Sequence, residues 1–314
     1  MAELELLRSL AVDVAAPTDA ARARARGRLL HHIRRARARK RRRVLAPALA
    51  LAGAGVVVAL VAVGTGGNGD AAAALALRHA AAVARSQAAP PQLRPGQFWY
   101  SKSIQAFTVT DGDKGWTALG PKVREIWLGP TRGLLRERSG KPEFLTARDR
   151  DLWVAAGRPQ VNAPHASQTL PPAQRLDLPS DPDALYAKLH DRSVGNGNGT
   201  EAEMFTLVGD ALRESDASPA LRAALYEVAS RIPGVELVGP VTDRAGRRGV
   251  AVAHVGHDHV RSELIFDPRT SALLEEETVA LAGNPYGYRP GTVTGYATYV
   301  STGVVDRIGE RPRR

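Results

Sequence analysis

The sequence contains no cysteine and few aromatic residues. Among its 314 residues are five Phe, four Trp and seven Tyr. Without thiols the chain cannot form disulfides, CxxC redox sites, thiolate zinc sites, a cysteine nucleophile or a lipid-modified cysteine anchor. The length corresponds to one large domain or two small ones, at roughly 100 to 200 residues per domain.

Basic residues outnumber acidic ones, and the excess lies almost entirely in residues 1–43. This segment has 13 basic and four acidic side chains, a net charge of +9, whereas the rest of the chain has 30 basic and 28 acidic ones. Nucleic-acid-binding domains carry their basic residues on a recognition fold, with aromatic residues interleaved. We therefore expect no specific nucleic-acid partner.

An apolar run follows this basic tail. The sequence VLAPALALAGAGVVVALVAVG, residues 44–64, has no charged side chain in 21 residues. As a helix it would be about 31 Å long, which matches a bilayer core of about 30 Å. Pro47 falls in the first turn, where its missing N–H costs little. A cleaved signal peptide has a shorter charged region and a shorter apolar region, so we predict a single transmembrane helix over residues 44–64.

The distribution of Lys and Arg predicts the orientation of this helix. Twelve basic residues lie between Arg22 and Arg43, immediately before the predicted span, and only Arg78 and Arg85 follow it closely. The positive-inside rule places the N-terminus in the cytoplasm and the C-terminal part outside the cell membrane. The partners expected for the tail are the lipid bilayer itself and anionic lipid headgroups at the arginine-rich run.

The first residues of the tail have an amphipathic pattern. Four apolar residues recur at helical spacing before Pro17, namely Leu4, Leu7, Ala11 and Val14. A second, basic helix can begin with Thr18 or Asp19 as its N-cap. A short amphipathic helix without a core binds a partner, lies on the membrane surface, or frays. A cytoplasmic regulator is the partner that we expect if it binds one.

The remaining chain divides into a linker and a folded domain. Residues 65–94 are rich in Ala and end in a region that contains Pro90 and Pro91, which predicts a stalk or linker with one helix. All aromatic residues lie at or after Phe98, so residues 95–314 are expected to form the extracytoplasmic domain. The predicted organisation is therefore a tail over 1–43, a span over 44–64, a stalk over 65–94 and a domain over 95–314.

Within the domain the pattern changes from strands to helices and back to strands. GQFWYSKSI and VREIWLGPTRGLLRER are typical of antiparallel strands, and RDRDLWVAAG of a short helix. Three helices follow, SDPDALYAKLH, EAEMFTLVGDALRES and SPALRAALYEVASRIPG, two of them with a Ser or Asp cap before Pro. The last third has five strand sequences separated by turns. Segregated helices and a meander predict an α+β fold, a curved antiparallel sheet with helices on one face.

Candidate chemical sites in the sequence are weak. His254, His257 and His259 with Asp258 have ligand types for zinc or nickel, but their position in HVGHDH favours a solvated hairpin turn. Asp111 begins a calcium-loop pattern whose twelfth position is Lys122 and not the required glutamate, so TDGDKG is interpreted as a hairpin turn.

Other residues also have structural interpretations. The glutamates at 275, 276 and 277 are interpreted as a solvated strand face. Trp99, Trp127 and Trp153 are expected in the core, with the lining of an apolar ligand cavity as the alternative. No GxSxG elbow, HExxH helix, Walker A sequence or strand-associated GxGxxG is present. We therefore predict no enzyme, no catalytic residue, no cofactor and no metal site.

The order of segments resembles a known family. ELELLRSLAVDV, the arginine-rich run and span, RPGQFWY, REIWLGP, SDPDALYAKL, ELIFDPRTSALLEEE and VTGYATYVSTGVVD are similar to a family of actinobacterial single-pass membrane proteins with no established activity. The resemblance implies a topology and no chemistry. The outer domain is also similar in outline to the LolA and RseB class, which implies a curved sheet that wraps helices and binds lipid or peptide.

Two functions follow as expectations. The first is a membrane-anchored protein with an extracytoplasmic sensing or interaction domain, whose N-terminal helix contacts a cytoplasmic regulator as in an anti-sigma factor. The alternative is an anchored module that binds lipid or peptide between the sheet and the helices.

Overall fold

The structure, a computed structural model, describes residues 68–89, 92–163, 165–171, 178–213 and 217–312. The predicted tail over 1–43 and the predicted transmembrane helix over 44–64 lie outside these residues. In the described ranges no helix combines the length and the hydrophobicity that a bilayer crossing requires.

The domain is built on one large antiparallel sheet. In chain order the strands are β1 Phe98–Asp111, β2 Trp116–Leu119, β3 Lys122–Leu128, β4 Gly133–Ser139, β5 Glu143–Phe144, β6 His165–Leu170, β7 Glu236–Thr242, β8 Arg248–Val255, β9 Val260–Phe266, β10 Leu273–Ala280 and β11 Val293–Val305. Their order across the sheet is β6-β4-β3-β1-β11-β10-β9-β8-β7, with β2 and β5 attached to the far end of β1. Register shifts interrupt four of the pairings, and such bulges bend a sheet.

Five helices accompany the sheet in the described residues. They are α1 Asn68–Ser86, α2 Ala147–Ala155, α3 Pro182–Ser193, α4 Thr200–Leu212 and α5 Pro219–Ala229. The predicted caps are confirmed, because the Asp181 carboxylate accepts from the N–H groups of Asp183 and Ala184, and the Ser218 hydroxyl accepts from Leu221 N–H. In both helices Pro occupies the first turn, where no N–H is needed.

The two faces of the sheet have different environments. Side chains of paired residues share a face, so Val252 of β8 lies beside Leu264 of β9 on the side where α1, α3, α4 and α5 pack. We call this side the helix face. The opposite side, which carries Tyr100, Trp127 and Glu275, we call the open face. The sequence-based α+β class with helices on one face of an antiparallel sheet is confirmed for this part of the chain.

The core lies between the helix face and the four helices. Its fully buried side chains include Phe205, Leu225, Tyr226 and Phe266, and the Tyr226 hydroxyl donates to the Ser271 carbonyl at 2.7 Å. Burial stabilises each such apolar side chain by about 1.5 to 3 kcal/mol relative to exposure.

Helix α1 belongs to this core, although its residues fall within the segment that the sequence assigned to a stalk. It packs against α5 and β7, and its inward side chains, among them Ala73, Leu77 and Ala84, are at most 1% exposed. Arg85 near its end pairs with Glu227 of α5. The compact unit therefore includes residues that precede position 95.

Three short strands have no counterpart in the sequence-based strand assignment. β6 has the sequence HASQTL, and nearly all of its residues are exposed, so it lacks the hydrophobic alternation that marks a half-buried strand. β2 and β5 are only four and two residues long. The predicted turn TDGDKG is confirmed, since Gly115 N–H donates to the Asp111 carbonyl at 2.7 Å between β1 and β2.

Two leucines of α1 test its place in the core. Leu77 is 0% exposed and Leu75 is 67% exposed, so Leu77→Ala and Leu75→Ala make the same chemical change in the same helix. We expect Leu77→Ala to lower the free energy of unfolding by about 2 to 5 kcal/mol through a lost contact and a cavity. Leu75→Ala should change it by less than about 0.5 kcal/mol. Equal effects in denaturant titrations of the full chain would show that α1 is a free stalk.

Candidate functional site

A groove of about 470 Å³ lies on the open face at the β6 end of the sheet. Strands β3, β4 and β6 form its floor, and the segment after β11 supplies one wall. The polar and charged residues that line it are Glu125, Arg136, Glu137, Arg138, His165, Ser167 and Arg311, and Glu137 is paired with Lys122 and Arg124. We call this feature the basic groove.

The strand register explains why these residues meet. Glu125 of β3 pairs with Arg136 of β4, which pairs with Ser167 of β6. One row further along, Arg138 pairs with His165. Since residues two apart on a strand point to the same side, Arg136 and Arg138 both project from the open face. Both are exposed.

The C-terminal segment closes one side of the basic groove. The Trp127 indole N–H donates to the Glu310 carbonyl at 2.8 Å, which holds the segment over β3. The Arg311 guanidinium then donates to both carboxylate oxygens of Glu125, at 2.8 and 3.3 Å. Tyr100 packs on Trp127 with ring centroids 5.3 Å apart, and its hydroxyl donates to Glu125 at 2.8 Å.

The Glu125 carboxyl is ionised, and its negative charge is paired with the guanidinium of Arg311. Its burial opposes ionisation, but hydrogen bonds from Arg311 and Tyr100 outweigh this effect and lower the pKa of the carboxyl. The pKa of the Tyr100 hydroxyl is raised, first by burial and then by its bond to the carboxylate. At neutral pH the charge of Arg311 balances that of Glu125, and the positive charges of Arg136 and Arg138 are left in the groove.

Arg136 and Arg138 have no ion-pair partner in the described part of the chain. The Arg136 guanidinium carbon lies 5.2 Å from the centre of the Trp127 ring, a cation–π contact that orients the group and leaves its charge uncompensated. A guanidinium presents five N–H donors in a planar fork that matches carboxylate and phosphate oxygens. The chemistry available in the groove is therefore recognition of an anionic group.

Sequence reasoning did not find this site. The stretch RGLLRER was interpreted correctly as a strand, and the alternation of Arg136 and Arg138 with Glu137 was the available signal for a charged face. The signal was insufficient because β6 and the C-terminal wall come from distant positions. Strand pairing brings Ser167 to Arg136, and the contacts of the C-terminal segment with β3 bring Arg311 to the same groove.

The three consecutive glutamates of β10 do not form a solvated face, so that interpretation was wrong for Glu275. β10 is an interior strand between β9 and β11, and alternation separates the three side chains. Glu276 points to the helix face, where Arg213 donates to both of its oxygens and Tyr299 donates at 3.0 Å. Glu275 and Glu277 point to the open face.

Arg244 holds the two open-face glutamates. Its backbone N–H donates to Glu275 at 2.9 Å, and its guanidinium donates to Glu277 at 3.0 Å. Thr298 donates its hydroxyl to Glu275 at 2.7 Å, and the guanidinium carbon of Arg244 lies 4.0 Å from the centre of the Tyr296 ring. Desolvation by burial raises the pKa of both Glu275 and Glu277. This network connects the β7–β8 turn to the middle of the sheet.

The histidine cluster does not assemble. His254 at the end of β8 is buried on the helix face, where its Nε2 lies 3.1 Å from the Pro233 carbonyl and its ring packs on Phe205. Burial lowers the pKa of His254. His257 and His259 lie in the turn that follows. The described residues contain no group of three or more side chains placed to bind one metal ion.

The tryptophans occupy several environments. Trp127 is 1% exposed, as expected for a core residue, and Trp153 packs on Phe144 near the β2–β5 pair. Trp99 lies on the other side of β1 from Tyr100, and its buried indole N–H has no hydrogen-bond partner among the described residues. The same holds for the buried hydroxyl of the neighbouring Ser101.

Comparisons with known proteins give distant matches. No protein-family model matches the chain, and no curated protein matches it either. A crystal structure of MucB in complex with MucA(peri) is 13% identical, with 77% of this chain and 57% of that chain covered and a TM-score of 0.27. The MucA/MucB complex of Pseudomonas aeruginosa is 14% identical, with 77% and 59% covered and a TM-score of 0.25.

A third match is a DUF1329 family protein from Desulfovibrio piger. It is 10% identical, with 78% of this chain and 95% of that chain covered and a TM-score of 0.22. The chain spans less than two thirds of the length of the MucB structures. Superpositions this loose support neither a function nor the role of any residue.

The glutamate network generates a pH prediction. A carboxyl whose folded-state pKa is raised contributes most stability below its unfolded pKa, near 4.3, and loses that contribution as pH rises through the folded value. Glu275→Gln keeps the side-chain shape without the ionisation. We therefore expect the unfolding free energy of the variant, minus that of the wild type, to increase from pH 4 to pH 8.

The measurement is denaturant unfolding of the full chain at several pH values. Glu143→Gln makes the same substitution at an exposed position of β5 and serves as the control. A difference for Glu275→Gln that stays constant or falls with pH would contradict the raised pKa of Glu275.

Proposed function

We propose that this chain is a single-pass membrane protein whose outer α+β domain senses or binds a partner in the cell envelope, with the basic groove as its contact surface. The observation that carries the proposal is the pair Arg136 and Arg138, two exposed cations on one strand with no carboxylate partner among the described residues. An arginine pair without its counterion is suited to a charge supplied by another molecule.

The chemistry of the basic groove favours recognition over catalysis. Its carboxylate, Glu125, is held by Arg311 and Tyr100, and so is not available as a general base. The groove is open along the sheet surface, whereas catalytic sites strengthen their electrostatic effects by excluding water. We therefore propose a non-enzymatic role.

The anchor and the orientation are part of the proposal. The apolar run over residues 44–64 and the arginines before it support a cytoplasmic N-terminus with anionic headgroups around the tail. The amphipathic residues from Leu4 to Val14 then provide a cytoplasmic contact for a regulator, in the manner of an anti-sigma factor. Membership of the actinobacterial membrane-anchored family belongs to the same proposal.

A second candidate is lipid or peptide binding on the helix face of β1. The observation that favours it is a pair of buried donors, the Trp99 indole N–H and the Ser101 hydroxyl, for which the described part of the chain offers no acceptor. A ligand carbonyl or ester oxygen beside β1 would satisfy them. The crosslinking experiment below separates the two candidates, because a ligand on the helix face does not touch the basic groove.

Binding at the basic groove is tested in cells with the full chain. A photoreactive amino acid replaces Thr169, an exposed β6 residue. We expect a discrete crosslinked product that Arg138→Glu reduces at least tenfold, because the reversed charge repels an anionic partner. Arg148→Glu, the same reversal at an exposed position of α2, should leave the yield within twofold. A product that is insensitive to Arg138→Glu, or no product, contradicts the proposal.

Topology is tested by single cysteines, since the chain contains none. Gly197 is exposed and has open space around the position of a side chain, so Gly197→Cys should react with an impermeant thiol reagent on intact cells. Ala20→Cys should react only after the membrane is permeabilised. Labelling of Ala20→Cys on intact cells, or recovery of the chain in the soluble fraction after high-speed centrifugation, would refute the anchored, N-inside arrangement.

A further inference from the structure

The two edges of the sheet differ in how well they are protected. The β7 edge has a register shift between Leu237 and Gly239, a positive φ of 109° at Gly239, and Pro240 within the strand. Helix α1 also packs against β7. A bulge, a proline and a covering helix are devices by which proteins prevent another strand from adding to an edge.

Within the described residues the β6 edge has no bulge, no proline in the strand and no covering helix. Its sequence HASQTL has no proline and no acidic or basic residue apart from His165, and its pairing with β4 is regular over six residue pairs. Five of its six residues are exposed. No strand in the described ranges pairs with its outer side. Such an edge presents unpaired N–H and C=O groups, which are a template for an added strand.

We propose that the β6 edge accepts an extended acidic segment of another protein as an additional strand, with acidic side chains directed toward Arg136 and Arg138. This inference rests on the proposed function and names the chemistry of the partner at the same site. The backbone of the segment pairs with β6, and its alternate side chains lie on the open face.

The spacings fit such a segment. An added strand would lie about 4.8 Å from β6 and about 9.6 Å from β4. On the open face the β6 residue opposite Arg136 is the small Ser167, and the one opposite Arg138 is His165. In the free chain the Arg136 guanidinium lies over Trp127 of β3, so it meets the added strand by turning across Ser167. Arg136 and Arg138 are two residues apart on β4. Consecutive side chains on one face of the added strand are also two residues apart, which is about 6.7 Å along the strand.

The combination of edge and charge selects an extended acidic peptide among anionic ligands. A free phosphate or carboxylate would use the guanidinium groups alone and leave the unpaired backbone of β6 unused. A neutral segment would pair with β6 and leave the two arginines without counterions. Only an extended acidic segment satisfies both sets of groups.

The test uses the full chain in a neutral detergent and measures fluorescence anisotropy of labelled heptapeptides. The probe alternates valine and glutamate, and a matched probe alternates valine and lysine. We expect the acidic probe to bind at least tenfold more tightly than the basic one. Arg138→Glu should weaken binding of the acidic probe at least tenfold, and Arg148→Glu less than twofold.

Backbone methylation of the probe distinguishes strand addition from charge attraction while the protein stays unchanged. N-methylation of the odd residues removes one set of alternate N–H donors, and N-methylation of the even residues removes the other. Since only one set faces β6 in an added strand, one methylated probe should lose at least tenfold in affinity and the other less than threefold. Equal affinities of both methylated probes and the parent, or competition by inorganic phosphate at equal strength, would overturn strand addition.

Failure of this inference is separable from failure of the proposed function. If the acidic probe does not bind and Arg138→Glu still abolishes the crosslink at position 169 in cells, the groove has a partner that is not an acidic strand. If the crosslink and the peptide binding are both absent, the role of the basic groove is refuted together with this inference.

Discussion

The antiparallel pairing of β1 with β11 joins the first and the last strand of the domain over ten registered residue pairs. On one side of this ladder lie β3, β4 and β6, and on the other lie β10, β9, β8 and β7. Without it the two halves would be separate small sheets, each with an additional open edge. The pairing also delivers the segment after Val305 to β3, where Trp127 and Glu125 bind it. The groove wall is therefore a consequence of that one ladder.

The charged side chains at the two ends of the open face differ in whether they have partners. Around β10, each carboxylate that the sheet buries has hydrogen-bond donors, since Arg244 and Thr298 serve Glu275 and Arg244 also serves Glu277. Desolvation still raises the pKa of these groups, and Arg244 connects the β7–β8 turn to the sheet. Around β4, in contrast, Arg136 and Arg138 are exposed, and no carboxylate of the described residues forms an ion pair with them. The first arrangement is suited to holding the fold, and the second to meeting another molecule.

The helices have a structural role on the opposite face. α1, α4 and α5 bury apolar side chains against β7, β8 and β9, and the same layer receives the Arg213 to Glu276 contact. This layer covers the helix face of the β7 half of the sheet. At the other end of the sheet, no strand or helix of the described residues covers the outer side of β6, so a partner can approach this edge. In many proteins, binding residues lie at the periphery of a rigid scaffold that positions them.

Much of the domain was predictable from local patterns. The caps at Asp181 and Ser218, the hairpin turn after Asp111 and the C-terminal meander all depend on neighbouring residues, and local chemistry alone selects them. β6 escaped prediction because a doubly exposed strand has no hydrophobic period. The glutamates of β10 were misinterpreted because the neighbours that bury them, β9 and β11, are assigned only by strand order.

The sequence by itself determined the helices and the longer strands, the position of the basic tail and the apolar run, and the absence of thiol chemistry, since each depends on residues close together in the chain. Only the tertiary structure decided which charges meet. Arg136, His165 and Arg311 come from strand β4, strand β6 and the C-terminal segment, and pairing between distant strands brings them to one groove. Such pairing is governed by register and burial across the whole sheet, which no local pattern contains.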